Sequence, residues 1–220
     1  VGIVGATGAG KSTLLSLIGR VRDPDSGRIL LDEHDLRKVK LAALRRALGY
    51  VPQETLLFGM SLRDNIAFEG IELPTSRIET AMHAARLVND LPQLPQGLAT
   101  VVGERGTSLS GGQRARTALA RALVRDPQIL VLDDALASVD AHTAAQILGE
   151  LQGYRGERTC IIVAQRIAAV RDADQIVVLD EGQVAERGTH QQLLAADGLY
   201  AAMYRRELKQ AEEEDERVNG

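Results

Sequence analysis

Apolar and polar positions alternate along the chain in three regimes. The first is a succession of short apolar runs and amphipathic stretches: residues 1–4, 28–32 and 49–53 read as strands, and residues 13–18 and 41–48 read as helices. Residues 23–27 (Asp-Pro-Asp-Ser-Gly) form a turn by composition. From residue 58 to about 109 strands give way to helical spacing. Ser76 and Glu79 stand at capping-box distance ahead of Ile78, Ala81, Met82 and Ala85, and this predicts a helix capped at Ser76. Turn formers dominate residues 92–97 and 102–106. The third regime returns to buried-strand patterning. Residues 128–134 and 158–164 are apolar runs ending in polar residues, and residues 174–180 make a further strand. Helices follow at about 140–151, 191–195 and 199–208, with Asp140 as the N-cap of the first. The whole is an α/β domain with a helical insertion, about residues 58–125.

Chemistry enters where the first strand meets the first helix. Gly5-Ala6-Thr7-Gly8-Ala9-Gly10-Lys11-Ser12, followed by Thr13, fits G-x-x-x-x-G-K-[ST] in the strand–loop–helix setting that the motif requires. Glycines let successive backbone N–H groups curl around an anion, and the helix N-terminus adds partial positive charge. Lys11 reaches toward β- and γ-phosphates, and the Ser12 hydroxyl suits Mg2+. The motif predicts a bound nucleoside triphosphate.

Three further sites stand out. Leu109-Ser110-Gly111-Gly112-Gln113 opens a helix with Ala115, Leu119, Ala122 and Leu123 on one face. Ser110 and Gln113 have capping-box spacing, but two glycines are poor helix formers and need a reason to be there. Asp133 and Asp134 end a buried strand, where the first carboxylate of a phosphate-loop protein serves Mg2+, through water. Gln53 ends a short strand and, by itself, reads as a surface amide.

Composition adds bounds. The 220 residues are 45% hydrophobic and 25% charged with a net charge of −4, which offers no nucleic-acid footprint. Cys160 lies in an apolar run and reads as a core thiol. No apolar segment approaches the roughly 18 residues of a membrane span, and no signal-peptide pattern is present. Val1 enters directly on the first strand, as an internal residue of a longer polypeptide would. Residues 209–220 form an acidic tail, expected as frayed helix or disorder.

With these motifs in this order, residues 1–208 resemble the nucleotide-binding domain of ATP-binding cassette (ABC) transporters. The resemblance implies a RecA-like P-loop NTPase core, an inserted helical subdomain and a partial antiparallel β subdomain. It also implies ATP and Mg2+ as ligands, and a head-to-tail dimer in which the Ser110–Gln113 signature faces ATP on a second such domain. Gln53 would sense Mg2+, Asp133 would be the Walker B aspartate and Asp140 would end the D-loop, where Ala137 replaces the usual Ser. Residues 100–106 resemble the exporter loop that touches the intracellular loops, with their coupling helices, of a transmembrane domain, and residues 61–66 are similar to exporter sequences at the same place. The implied place is the cytoplasmic face of a membrane, within an integral transporter.

Two positions depart from the family pattern. Asp134 stands where the family has the general-base Glu, and Gln165 where it has the switch His. A carboxylate one methylene shorter falls back by about 1.5 Å. A glutamine hydrogen-bonds a phosphate but carries no proton. Together they lead to the expectation of a hydrolysis-impaired site in one half of a heterodimeric exporter. An active homodimeric transport ATPase and a soluble ABC ATPase acting on nucleic acid are the alternatives.

Overall fold

The structure, a computed structural model, describes residues 1–68, 73–103, 108–154 and 158–219, with side chains through residue 213 except that of Tyr154. Its centre is a sheet in the order β4-β5-β6-β1-β7-β8, formed by β1 (Gly2–Gly5), β4 (Leu48–Val51), β5 (Ile129–Asp133), β6 (Thr159–Val163), β7 (Ile176–Asp180) and β8 (Gln183–Gly188). The first five run parallel, and β8 closes the edge antiparallel to β7. A parallel sheet needs both faces covered, which is why β1, β5 and β7 read as continuous apolar runs. Alternation along each strand feeds two cores. Val4, Leu130, Leu132, Ile162 and Val178 face one of them, with helices α5 (Gly111–Leu123) and α6 (Ala141–Tyr154). Ile3, Val131, Val163 and Leu179 face the other, with Leu15 of α1 (Lys11–Ile18).

Register sets the site. Asp133 pairs with Val163, and Ile3 pairs with Val163 from the other side. The carboxyl ends of β1, β5 and β6 therefore finish together, the place where ligands bind in open α/β sheets. Helices α3 (Leu62–Ala67), α4 (Thr75–Ala84) and α5 pack on one another beside this edge. A separate two-stranded hairpin, β2 (Leu30–Leu31) with β3 (His34–Asp35), turns through Asp32 and Glu33, both at positive φ, as a tight I′-like hairpin requires. Helix α2 (Leu41–Ala47) then leads into β4.

Two expectations need correction. Strand 28–32 shortens to Leu30–Leu31. Helix α4 begins at Thr75, with no side-chain cap, so Ser76 caps nothing. The extended Pro74 (φ −53°, ψ 136°) starts the helix early, and its carbonyl accepts from Arg77 and Ile78 N–H. At the end of the chain, α7 (His190–Ala195) is followed by α8 (Leu199–Asn219), which continues as helix through the acidic tail. Glu, Lys, Ala and Gln there are good helix formers. Of the exporter-like stretch 100–106, Val101 bridges antiparallel to Ser61, while Glu104, Arg105 and Gly106 lie outside the described residues.

Candidate nucleotide site

The phosphate loop is built by β1 delivering its chain into α1. Gly8 and Gly10 sit at φ 87° and 98°, a left-handed backbone that glycine adopts without strain. Gly10 is also the N-cap of α1, and no side chain caps the helix there. The first N–H groups of α1 thus face the pocket as an anion-binding end. Lys11 folds back over the loop, its Nζ donating to the carbonyls of Gly5 (2.7 Å) and Ala6 (2.9 Å). Burial pushes the Lys11 ammonium below its usual pKa, while Asp134 and Asp133 oppose that shift.

A cavity of about 220 Å3 gathers Thr7, Gly8, Gly10, Lys11, Ser12, Thr13, Gln53, Asp133, Asp134 and Gln165. Gly5, Ala6 and Thr7 line an adjoining cavity of about 700 Å3, together with Asp134, Ala137, Gln165 and side chains of α8. Ala9 is buried against the sheet and its carbonyl accepts from Gly182 N–H. Asp134 lies at the centre. Its N–H donates to Val163 O (2.8 Å), and its own carboxylate receives Gln53 Nε2 and Gln165 N, each at 3.4 Å. Its φ of 47° is left-handed, a region that Asp enters more readily than most residues.

Ser12, Asp133 and Gln53 offer oxygen ligands, the chemistry that Mg2+ takes. Among the described residues no group of three or more His, Cys, Asp or Glu could hold a metal alone. That donor set fits a cation completed by nucleotide phosphates and water.

The signature residues lie apart from this cavity. Ser110 caps α5, accepting from Gln113 N (3.2 Å) while Gln113 Oε1 accepts from Ser110 N (2.9 Å). The capping box expected there forms. The glycines have a steric reason as well. A Cβ on Gly111 would sit 3.3 Å from Ser138 Cβ, and one on Gly112 would sit 3.3 Å from Ser138 O. The start of α5 therefore packs on residues 138–139, beyond Asp134. Asp140 Oδ1 accepts from Thr143 N (2.9 Å) at the head of α6, as expected.

Three supporting residues were not legible beforehand. Tyr50 donates to Asp133 Oδ2 at 2.9 Å. Buried Asp90 holds Arg116 of α5 through two hydrogen bonds, 2.9 and 2.8 Å, and Gln113 Nε2 at 3.5 Å. Glu207 of α8 accepts from Ile167 N (2.6 Å) and Ala168 N (3.2 Å), fixing the backbone just after Gln165. Each pair is distant in sequence, and none carries a local motif.

Comparison with known proteins follows the same lines. A family model described as ABC transporter matches residues 1–137. The chain is 44% identical over 214 residues to an ATP-dependent lipid A-core flippase of Nitrosococcus oceani, covering 97% of this chain and 36% of that protein. It is 43% identical over 216 residues to an ATM1-type heavy metal exporter of Novosphingobium aromaticivorans, covering 98% and 36%. A solved bacterial Atm1-family ABC exporter with ATP bound superposes with a TM-score of 0.90 at 43% identity, over 93% of this chain and 36% of that one. The chain spans about a third of the length of these relatives. With a phosphate loop, paired aspartates and a capped signature helix on this sheet, the chain belongs to the ABC transporter family, whose ATPase domains use Mg-ATP.

Proposed function

We propose that this chain is the ATP-binding domain of an ABC exporter, that it holds Mg-ATP at a site slow in hydrolysis, and that its signature completes the site of a partner domain. Residues 1–208 would form the domain, with 58–125 as its helical part. The observation that carries the reading is the convergence of Lys11, Ser12, Gln53, Asp133, Asp134 and Gln165 on one cavity, while Ser110–Gln113 stays outside it. A signature so separated, capped and packed within its own chain, is free to serve a nucleotide held by a second domain, as the family resemblance implies. The lipid A-core flippases and Atm1-type exporters named above support an exporter, placed at a membrane by a transmembrane part outside this chain. Among the described residues no helix is long and apolar enough to cross a membrane.

The chemistry follows from side-chain reach. Backbone N–H groups of the loop and Lys11 hold the phosphates and offset their charge. Ser12 and Asp133 would hold Mg2+ with the phosphates, and the ion would supply charge neutralisation. Asp134, which lines the cavity, would take a proton from the attacking water. Its carboxylate is one methylene shorter than glutamate, and a misplacement of about 1 Å costs about 10²-fold in rate. Gln165 can donate a neutral hydrogen bond to the γ-phosphate, without the charge assistance that a protonated imidazole gives. Both changes slow cleavage more than binding.

The test is single-turnover hydrolysis in the assembled transporter. D134E combined with Q165H should raise turnover at this site, and equal rates before and after would remove the slow-site reading. The Asp134 carboxylate lies in the cavity, 3.4 Å from Gln53 Nε2 and from the Gln165 backbone N, and if it works there as a base the alternative is an active homodimer. In that case D134A abolishes all ATPase activity, whereas a slow site paired with a competent partner leaves most of it.

A further inference from the structure

Tyr50 is the third residue of β4, ahead of Gln53, and pairs in parallel register with Val131 of β5. Side chains two apart on a strand share a face, so Val131 and Asp133 point the same way as Tyr50, toward α1. From there the phenol crosses diagonally to Asp133, Oη to Oδ2 at 2.9 Å. Ser12, Tyr50 and Asp133 line the same groove of about 450 Å3 between α1, β4 and the helices α3 and α5. The hydroxyl thus holds Asp133, one of the residues assigned to Mg2+, in a groove that Ser12 also lines, yet has no place in the motifs.

We infer that Tyr50 is a positioning residue for the metal of bound ATP: its hydroxyl fixes the rotamer of Asp133, so that Oδ1 is the oxygen offered to Mg2+ or its bound water. The inference rests on the Mg-ATP reading of the site. Asp133 ends its strand, half-buried, where its carboxylate could otherwise turn between rotamers. Fixing it before the metal arrives removes part of the ordering cost of binding. Partners of metal ligands act in this way at many sites, orienting the ligand without touching the ion. The ring fills the groove as well, and the experiment separates the two roles.

Tyr50→Phe keeps the ring and removes the hydroxyl, and Tyr50→Leu removes both. In the full-length transporter loaded with a non-hydrolysable ATP analogue, Mn2+ is titrated and its binding read by electron paramagnetic resonance. Affinity of a fluorescent ATP analogue without divalent metal serves as control. Tyr50→Phe should weaken Mn2+ held against this chain by about 10- to 100-fold, while metal-free nucleotide affinity stays within about twofold of wild type. Unchanged Mn2+ affinity in Tyr50→Phe overturns the inference, and a loss confined to Tyr50→Leu assigns the effect to packing and overturns it equally. Failure of wild type to bind nucleotide at this chain would instead sink the Mg-ATP reading.

Discussion

Asp90 holds the signature helix through a buried ion pair with Arg116. It sits in the 3-10 stretch Leu87–Gln93, its side chain 8% exposed, and grips an Arg116 that is 11% exposed. Asp90→Ala removes both charge-assisted bonds, at 2.9 and 2.8 Å, and leaves the guanidinium buried without its counter-charge. Breaking one side of a buried pair costs about 3–5 kcal/mol. For a domain of this size about 1 kcal/mol shifts Tm by roughly 2–4 °C, so the midpoint should fall by roughly 6–20 °C. Urea unfolding of the domain checks the free energy, with an unchanged m-value marking a change in stability alone. Replacing both partners, Asp90→Leu with Arg116→Met, should cost far less than Asp90→Ala, because no charge is left stranded. A single-variant loss below about 1 kcal/mol, or a double variant as damaged as the sum of the singles, refutes the reasoning.

Gly112→Ala puts a methyl 3.3 Å from Ser138 O and from Arg116 Nη1. Overpacking of about 1–3 kcal/mol outweighs up to about 1 kcal/mol of helix propensity, so urea unfolding should show a net loss, and a gain would mean that residue 138 yields freely. Glu207→Ala frees the Ile167 and Ala168 amides. Their hydrogen exchange should quicken by roughly tenfold or more, with Glu207→Gln keeping part of the protection. Asp35 is held down to about 2 from 3.8 by side-chain and backbone hydrogen bonds from Arg37. Because its folded pKa is depressed, its stabilising contribution is complete above about pH 4 and is lost as pH falls through about 2. A carboxyl NMR titration should show the low midpoint, and Arg37→Ala should return it toward the unperturbed value.

What could be read from the sequence was written in contiguous residues. Gly5–Ser12 declares itself because eight neighbours must share one loop. Ser110 with Gln113, and Asp140 with Thr143, are caps spanning three residues. The helix boundary at α4 misled because two local signals competed, and Pro74 overrode the Ser76 pattern. Other supports depend on sheet order and packing. Tyr50 meets Asp133 across 83 residues, Glu207 meets Ile167 across 40, and Asp90 meets Arg116 across 26. Tyr50 reads as another strand aromatic until β4 is known to lie beside β5. Asp90 carries no local signal until α5 is known to lie against it.

The near-contact of Gly111 and Gly112 with residues 138–139 leaves almost no play between two parts of the molecule. Ala137, the next residue back, already lines the cavity shared by the phosphate loop and Gln165. A tilt of α5 would therefore press on residues 138–139, next to Ala137 and that cavity. In a head-to-tail pair, pressing one chain's signature onto its neighbour's nucleotide would nudge the first chain's own pocket at the same moment. The two pockets would then keep a common clock.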